Sequence, residues 1–355
     1  MSSGTSGTEA TQRSRPGDRS LQPPADGIAA VAWAPDSSAL LVASWDSVAR
    51  CELKLQYQAH HSFTHPRPVL AATFDATPNT AYSGGLDRRV RQHNDSVSSL
   101  VWIPEQSERA GRPSTDPADI LVSGSWDRTL KIWDPSAEEP LRATAALPER
   151  VYNLSYAPAT GRLLISMAHR HVSVYTAAEL GAAAREGREP KPESTRESAL
   201  KMLTRTVACM ADGKGWASGS IEGRIAVEYF DPDPAAQAAK YAFRAHRAAV
   251  DGVEQVYPIN ALAYHPIHNT FASGGSDGVL SIWDHNAKKR MRLYPKYPTA
   301  ISALAFSPDG SKLAIGVSYE HDNAVASPEE QARVLLLLKE TVQEDCKVGM
   351  GRDVE

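Results

Sequence analysis

The chain has 355 residues, 42% of them apolar, a formal net charge of −4 and a mean hydropathy of −0.37. That length suits either two ordinary domains or one large closed β fold, and the acidic balance argues against a global field that would draw nucleic acid or an anionic membrane to the surface. Three well-separated cysteines (Cys51, Cys209 and Cys346) argue against a disulfide framework and for a reducing compartment, and the longest apolar run, 334–338, is strand-sized rather than membrane-spanning.

Residues 1–18 are rich in Ser, Gly, Thr and Arg, without hydrophobic periodicity, and are expected to form a disordered tail. From Ile28 one unit recurs. Its first strand reads IAAVAWAPD (28–36), VLAATFDAT (69–77), VSSLVWIPE (97–105), VYNLSYAPA (151–159), RTVACMAD (205–212), INALAYHPI (259–267) and ISALAFSPD (301–309). Several copies place an aromatic shortly before a Pro or Asp turn, where Pro ends strand pairing because it has no donor for the ladder. A second strand then runs into a polar turn: ASWD (43–46), GGLD (84–87), GSWD (124–127), SMAH (166–169), GSIE (219–222), GGSD (274–277) and a degenerate GVSY (316–319).

The clearest copy is SGSWDRTLKIWDP (123–135), in which period-two alternation flanks a tight turn and the following strand ends in Trp-Asp. That is the mark of the WD repeat, one four-stranded blade of a β-propeller, and the 41 and 40 residues from Asp46 to Asp87 to Asp127 match its period. The pattern predicts an all-β, seven-bladed WD-repeat β-propeller over residues 19–340. Residues 19–22 should close the ring against the final strand, 333–339, since neither has a partner in its own repeat. The first and second blades read as shortened; either they are incomplete or the chain lacks coding segments. Residues 177–196 read as a solvated loop, and 341–355 as a C-terminal tail.

No catalytic residue, metal site or cofactor is expected. Ser, His and Asp lie near one another but repeat from blade to blade, without a nucleophile elbow or oxyanion loop. The histidines, among them His60, His61, His65, His169, His171, His246, His265 and His268, lack ligand spacing and are expected mostly to serve structure by bonding the turn Asp.

Binding residues stand out instead. Trp45 and Trp126 occupy turns that open on one face of the ring, where an indole either anchors a partner or fills a crevice between blades. Glu222 and Arg224 sit at the equivalent turn of the fifth blade; Arg224 offers a planar fork to a carboxylate, or pairs within its own blade. In KYAFR, alternation projects Lys240 and Arg244 to one side and Tyr241 and Phe243 to the other. With Arg247, these cations either receive a phosphate or simply protect an edge strand.

The stretch GSIEGRIAVEYFDPDPAAQAAKYAFRAHR (219–247) closely resembles the spindle-checkpoint WD-repeat propellers, the "budding uninhibited by benzimidazole" family, and their messenger-RNA-export relatives. Agreement continues through VYPINALAYHPIHNTFASGGSDGVLSIWD (256–284) and is visible in QPPADGIAAVAWAP (22–35), GSWDRTLKIWDP (124–135) and RESALKMLTR (196–205). It is weakest at the two short blades and after Tyr319. The resemblance implies a non-catalytic, monomeric propeller working in hetero-complexes, in the nucleus and at the mitotic kinetochore. It would bind a short peptide of checkpoint kinases through Trp45, Trp126, Glu222 and Arg224, and a phosphothreonine motif of a kinetochore platform protein through Lys240, Arg244 and Arg247. The anaphase-inhibiting checkpoint complex is a further implied partner; nucleic acid as main partner and membrane are not. The alternatives are an mRNA-export adaptor binding a nucleoporin peptide and, from another class, a ubiquitin-ligase substrate receptor. The second finds no support in the Trp-Asp pairs, none of which is followed by the any-Arg such receptors carry.

Overall fold

The computed structural model describes residues 17–53, 59–88, 92–104, 119–319, 333–340 and 342–347. The proposed N-terminal tail up to residue 16 and the segment 348–355 lie outside them. Strand β1 (Asp18–Leu21) leads in. The first sheet is β2 (Ile28–Trp33), β3 (Ala39–Ser44), β4 (Val48–Leu53) and β5 (Ala59–Thr64). The second has two strands, β6 (Val69–Phe74) and β7 (Ala81–Gly85). The third is β8 (Val97–Ile103), β9 (Ile120–Ser125), β10 (Thr129–Trp133) and β11 (Leu141–Ala146). The fourth is β12 (Val151–Ala157), β13 (Arg162–Met167), β14 (His171–Thr176) and β15 (Ser194–Glu197), with helix α1 (Ala177–Glu186) before its last strand.

The fifth sheet is β16 (Thr204–Cys209), β17 (Gly215–Ser220), β18 (Arg224–Tyr229) and β19 (Tyr241–Arg244), with a short helix α2 (Pro234–Ala238) between the last two. A hairpin, β20 (Arg247–Val250) and β21 (Val253–Val256), precedes the sixth sheet, which is β22 (Ile259–Tyr264), β23 (Phe271–Gly275), β24 (Leu280–Asp284) and β25 (Lys289–Leu293). The last sheet runs β26 (Ile301–Phe306), β27 (Leu313–Val317), β28 (Leu335–Lys339) and then β1; helix α3 (Val342–Cys346) follows.

The inner strands neighbour one another in the order β2, β6, β8, β12, β16, β22, β26 and back to β2, which makes the ring of an all-β WD-repeat propeller. Each carries the same β-bulge between its first and third residues, from Ile28/Ala30 and Val69/Ala71 round to Ile301/Ala303. An extra residue there raises the local twist and aims each sheet away from the axis. The small residues before each turn have a packing cause. A Cβ on Gly124, Gly219, Gly274 or Gly316 would lie 2.6, 2.7, 2.4 or 2.9 Å from the Val or Ile that starts the next inner strand.

Closure follows the expected route. β1 pairs antiparallel with β28, Asp18 opposite Lys339 and Leu21 opposite Leu336. The seam is locked by a buried ion pair between Asp18 and Lys339, with the Tyr297 hydroxyl donating to Asp18 at 2.9 Å.

Four expectations are corrected. Against seven four-stranded blades, six sheets are four-stranded among the described residues, and β6–β7, like the hairpin β20–β21, is two-stranded. The first sheet is not short: β4 and β5 give it four strands. Residues 177–196 are not a solvated loop. Thr176 caps α1 by accepting from the Glu179 N–H at 3.2 Å, Gly187 ends the helix at φ 65°, and Leu180, Ala183 and Ala184 pack against the third sheet. Residues 342–346 are not a free tail: Thr270 donates to the Cys346 carbonyl at 3.0 Å, and Tyr294 donates to Asp345 at 2.6 Å.

Candidate peptide-binding face

The turn between the second and third strands is built alike around the ring. Its first residue donates its N–H to the residue just before the inner strand: Trp45 to Gly27, Leu86 to Pro68, Trp126 to Ser96, Ala168 to Arg150, Ile221 to Leu203, Ser276 to Pro258 and Ser318 to Ala300, at 2.9–3.1 Å. The third residue takes a left-handed conformation at Ser47, Arg88, Arg128, Gly223 and Gly278, with φ between 61° and 70°. In the first and third sheets the Asp of the turn accepts the N–H two residues on, Val48 to Asp46 and Thr129 to Asp127, both at 3.0 Å.

This scaffold brings Trp45 and Trp126, both half-buried, to the wall of one axial channel of about 1220 Å³. Ile221, 39% exposed, and Tyr319 line the same channel. Trp45, Trp126 and Ile221 therefore hold equivalent places on three turns. Sequence reasoning passed over Ile221 in favour of its neighbour Glu222, although its position as third residue of GSIE matches that of the tryptophans in ASWD and GSWD. Two apolar rings and an aliphatic group around an open channel give a desolvated anchor for an inserted side chain.

Glu222 and Arg224 do not line this channel. The Glu222 carbonyl accepts from Arg247 Nη2 at 3.2 Å, while its Oε1 is buried without a hydrogen bond. Arg224 stands directly opposite Arg244 across the β18–β19 ladder, so these two guanidinium groups share one face. Alternation along β19 is as expected: Lys240, Ala242 and Arg244 are exposed, while Phe243 packs on Trp283 with ring centroids 4.8 Å apart and Tyr241 donates to the His285 carbonyl at 2.8 Å. Arg247 pairs with Glu254 at 2.7 Å, and Arg244 approaches the same carboxylate at 3.5 Å. Arg224 and Arg244 thus stand together beside Arg247 and Glu254, while Lys240 lies on the same side of β19 four residues along, next to Glu228. The two groups of residues predicted from sequence overlap in space through Arg224.

The Ser-His-Asp neighbours are structural. His93 bridges Asp127 at 2.9 Å and Ser123 at 2.8 Å, and Trp133 Nε1 donates to the same Ser123 at 2.8 Å. An indole N–H can only donate, so the serine hydroxyl accepts from Trp133 and donates to His93 Nε2, and His93 Nδ1–H donates to Asp127. Burial pushes His93 below the usual imidazole range against the pull of Asp127. Burial also opposes charge on Asp127, but the donors Thr129, Asn94 and His93 hold its carboxyl below the usual range. His246, Asp277, Ser273 and Trp283 repeat this network in the sixth sheet. Ser123 and Ser273 are wholly buried, so neither oxygen can meet a substrate. His93 is hard to find in the sequence because the residues before it, RRVRQ, show no strand-like alternation of apolar positions. Among the described residues no group of three His, Cys, Asp or Glu side chains converges as a metal site.

The family model for the WD domain, G-beta repeat, matches residues 19–51, 91–134 and 241–284. A mitotic checkpoint protein of Arabidopsis thaliana, BUB3.1, is 40% identical over 87% of this chain and 89% of its own length. A poly(A)+ RNA export protein of Schizosaccharomyces pombe is 32% identical over 92% of this chain and 91% of its own. The solved structure of U3-55K superposes with a TM-score of 0.67 at 17% identity, covering 91% of this chain and 98% of that one, a likeness of fold alone.

Proposed function

The chain belongs to the WD-repeat family of mitotic checkpoint proteins, and from that premise we propose that it is a non-catalytic scaffold which holds a short peptide of checkpoint kinases at the channel mouth and docks on a phosphothreonine motif of a kinetochore protein. The observation that carries this reading is the convergence of Trp45, Trp126 and Ile221 on one channel. We read β6–β7 as the inner half of a seventh blade, since it repeats the bulge, the turn bond and the ring contacts of the other six. Nucleus and mitotic kinetochore are the corresponding places of action.

In this reading Arg224 leaves the kinase-peptide site and joins Lys240 and Arg244 as the phosphate patch. Clustered guanidinium and ammonium groups make charge-assisted bonds to a dianionic phosphate. The RNA-export reading rests on the lower-identity relative, and affinity purification from mitotic cells separates the two: a checkpoint kinase or a nucleoporin arrives in stoichiometric amount.

Titration with the kinase peptide tests the channel mouth. Trp126→Ala is expected to lose about 2 kcal/mol, roughly thirty-fold in affinity, with its melting temperature retained. Loss of less than about threefold would count against this face. The double variant Lys240→Ala/Arg244→Ala should keep kinase-peptide affinity and lose its preference for phosphorylated over plain threonine. A preference as strong as that of the unaltered chain would reduce the patch to a charged edge.

A further inference from the structure

A carboxylate of the chain itself already sits among the arginines beside the fifth sheet. Glu254 turns both oxygens toward them: Oε2 pairs with Arg247 Nη1 at 2.7 Å, and Oε1 faces Arg244 Nη1 at 3.5 Å. The two guanidinium groups belong to different elements, β20 and β19, so a single anion spans both. Arg224, opposite Arg244 across the ladder, adds a third cation to the same face. Glu222 meets the group through its carbonyl, which accepts from Arg247 Nη2 at 3.2 Å.

The hairpin β20–β21 fixes where that carboxylate lies. Its turn, Asp251-Gly252, is left-handed at both residues, with φ 51° and 77°, as a two-residue hairpin turn requires. The register sets Arg247 opposite Val256 and Ala249 opposite Glu254, so Glu254 is the diagonal neighbour of Arg247 on one face. At the base, the Tyr257 N–H donates to the His246 carbonyl at 3.1 Å, and the N–H groups of Ala245 and His246 donate to the Gly223 carbonyl at 2.8 and 3.2 Å. Gly223 leaves no slack there, since a Cβ on it would lie 2.4 Å from the His246 carbonyl oxygen. The two arginines that share the carboxylate differ in access: the Arg247 side chain is 17% exposed and that of Arg244 64%. The Arg244 end of the bridge is therefore open to an incoming anion.

We propose that Glu254 is an internal ligand of this arginine site, which a phosphothreonine must displace from Arg244 in order to bind. The proposal rests on the phosphate reading above and supplies the competitor to it. A phosphothreonine brings nearly two negative charges and three acceptor oxygens, against one charge and two oxygens on the glutamate. It can bond Arg224 and Arg244 together, whereas the carboxylate reaches Arg244 only at the limit of hydrogen-bonding distance. Tethered by a short hairpin, Glu254 competes at an effective concentration on the order of millimolar or above. A singly charged side chain arriving from solution replaces like with like and gains nothing by the exchange.

The probe is a Gly-Ser-Ala-phosphothreonine-Ala-Ser-Gly peptide, compared with its plain-threonine counterpart and titrated against the full chain by NMR. Glu254→Gln keeps the size of the side chain and removes its charge. It is expected to bind the phosphopeptide about fivefold more tightly, the equivalent of about 1 kcal/mol, with the plain peptide unaffected and the melting temperature retained. Glu197→Gln takes the same charge from the Arg170 pair of the fourth sheet, and there the change should stay below about twofold. Unchanged or weaker phosphopeptide binding in Glu254→Gln overturns the proposal, because the carboxylate would then order the arginines instead of competing for them. An equal gain in Glu197→Gln, or a gain shared by the plain peptide, overturns it too, since net charge alone would explain the effect. Should neither the unaltered chain nor Glu254→Gln separate phosphorylated from plain peptide, the phosphate reading itself fails, and Glu254 has nothing to compete with.

Discussion

The second and third sheets perform the same task with different amounts of chain. Both seat their turn Asp on a histidine from the preceding connection: His65 bridges Asp87 at 2.7 Å and Ser83 at 2.8 Å, much as His93 bridges Asp127 and Ser123. Among the described residues only the third of these two sheets has outer strands, and with them Trp133, whose indole fixes the serine. The inner pair of strands therefore carries the contacts that make the ring, together with the His-Ser-Asp hold. The outer pair adds an indole donor, apolar cover for the neighbouring sheets and a closed edge. The described inner pair β6–β7 holds its place in the circle through the same ring contacts as the other inner strands.

If inner strands and seam hold the ring, the largest loss should come from the seam and not from the short sheet. Asp18→Ala leaves Lys339 buried without its carboxylate and should cost about 3–5 kcal/mol in urea unfolding. A loss under about 1 kcal/mol would move the weight of closure elsewhere. Next come the paired histidines. His93→Ala should cost about 2–3 kcal/mol and His65→Ala roughly 1 kcal/mol less, because Ser123 also holds Trp133 while no indole is bonded to Ser83 among the described residues. Equal losses would mean that the indole contributes nothing to the hold.

A pH dependence sharpens the contrast between the two faces of the first sheet. Toward the short second sheet it exposes Phe63; on the opposite face Glu52 is buried at 2% exposure, with neither carboxylate oxygen hydrogen-bonded. Burial pushes Glu52 up to about 7, with Arg50 pulling weakly the other way. A carboxyl raised in the folded state keeps its proton there when the unfolded chain has lost it. Stability should therefore fall as pH rises from about 4.5 to 7, on the scale of about 1.4 kcal/mol per pKa unit. Glu52→Gln should remove that slope, stabilising the chain above pH 7 and changing little near pH 4.5. Melting temperatures across this range give the answer, and parallel profiles for the two chains would show that Glu52 does not titrate there.

Period-two alternation and the turn Asp made the repeats legible, because both are local and each copy restates them. Ring closure was legible for a different reason: a strand without a partner at each end leaves one solution. Helix α1 was hidden because its buried face is mostly alanine, which reads as apolar-poor yet favours helix and needs little room. The fourth strand of the first sheet was hidden because its sequence, AHHSFT, lacks the apolar alternation of a core strand. At the candidate site, Trp45 and Trp126 announced themselves by size. Ile221 did not, because its role comes from an equivalent place on the ring. That Arg224 faces Arg244 required a register, which alternation within one strand cannot supply.

The pairing of Asp18 with Lys339 also bears on how the protein is made. A ribosome delivers β1 first and β28 almost last, at about 5–20 residues per second. For tens of seconds the growing chain is an open arc, with the apolar faces of β2 and of each newest sheet uncovered and two strand edges unpaired. No local contact can shorten that interval, since the closing strands lie far apart along the chain. The consequence is a chain whose aggregation-prone surfaces must wait for its last strand, so factors that hold nascent chains are expected to matter to its yield. Once the last strand emerges, its own arrival completes the circle.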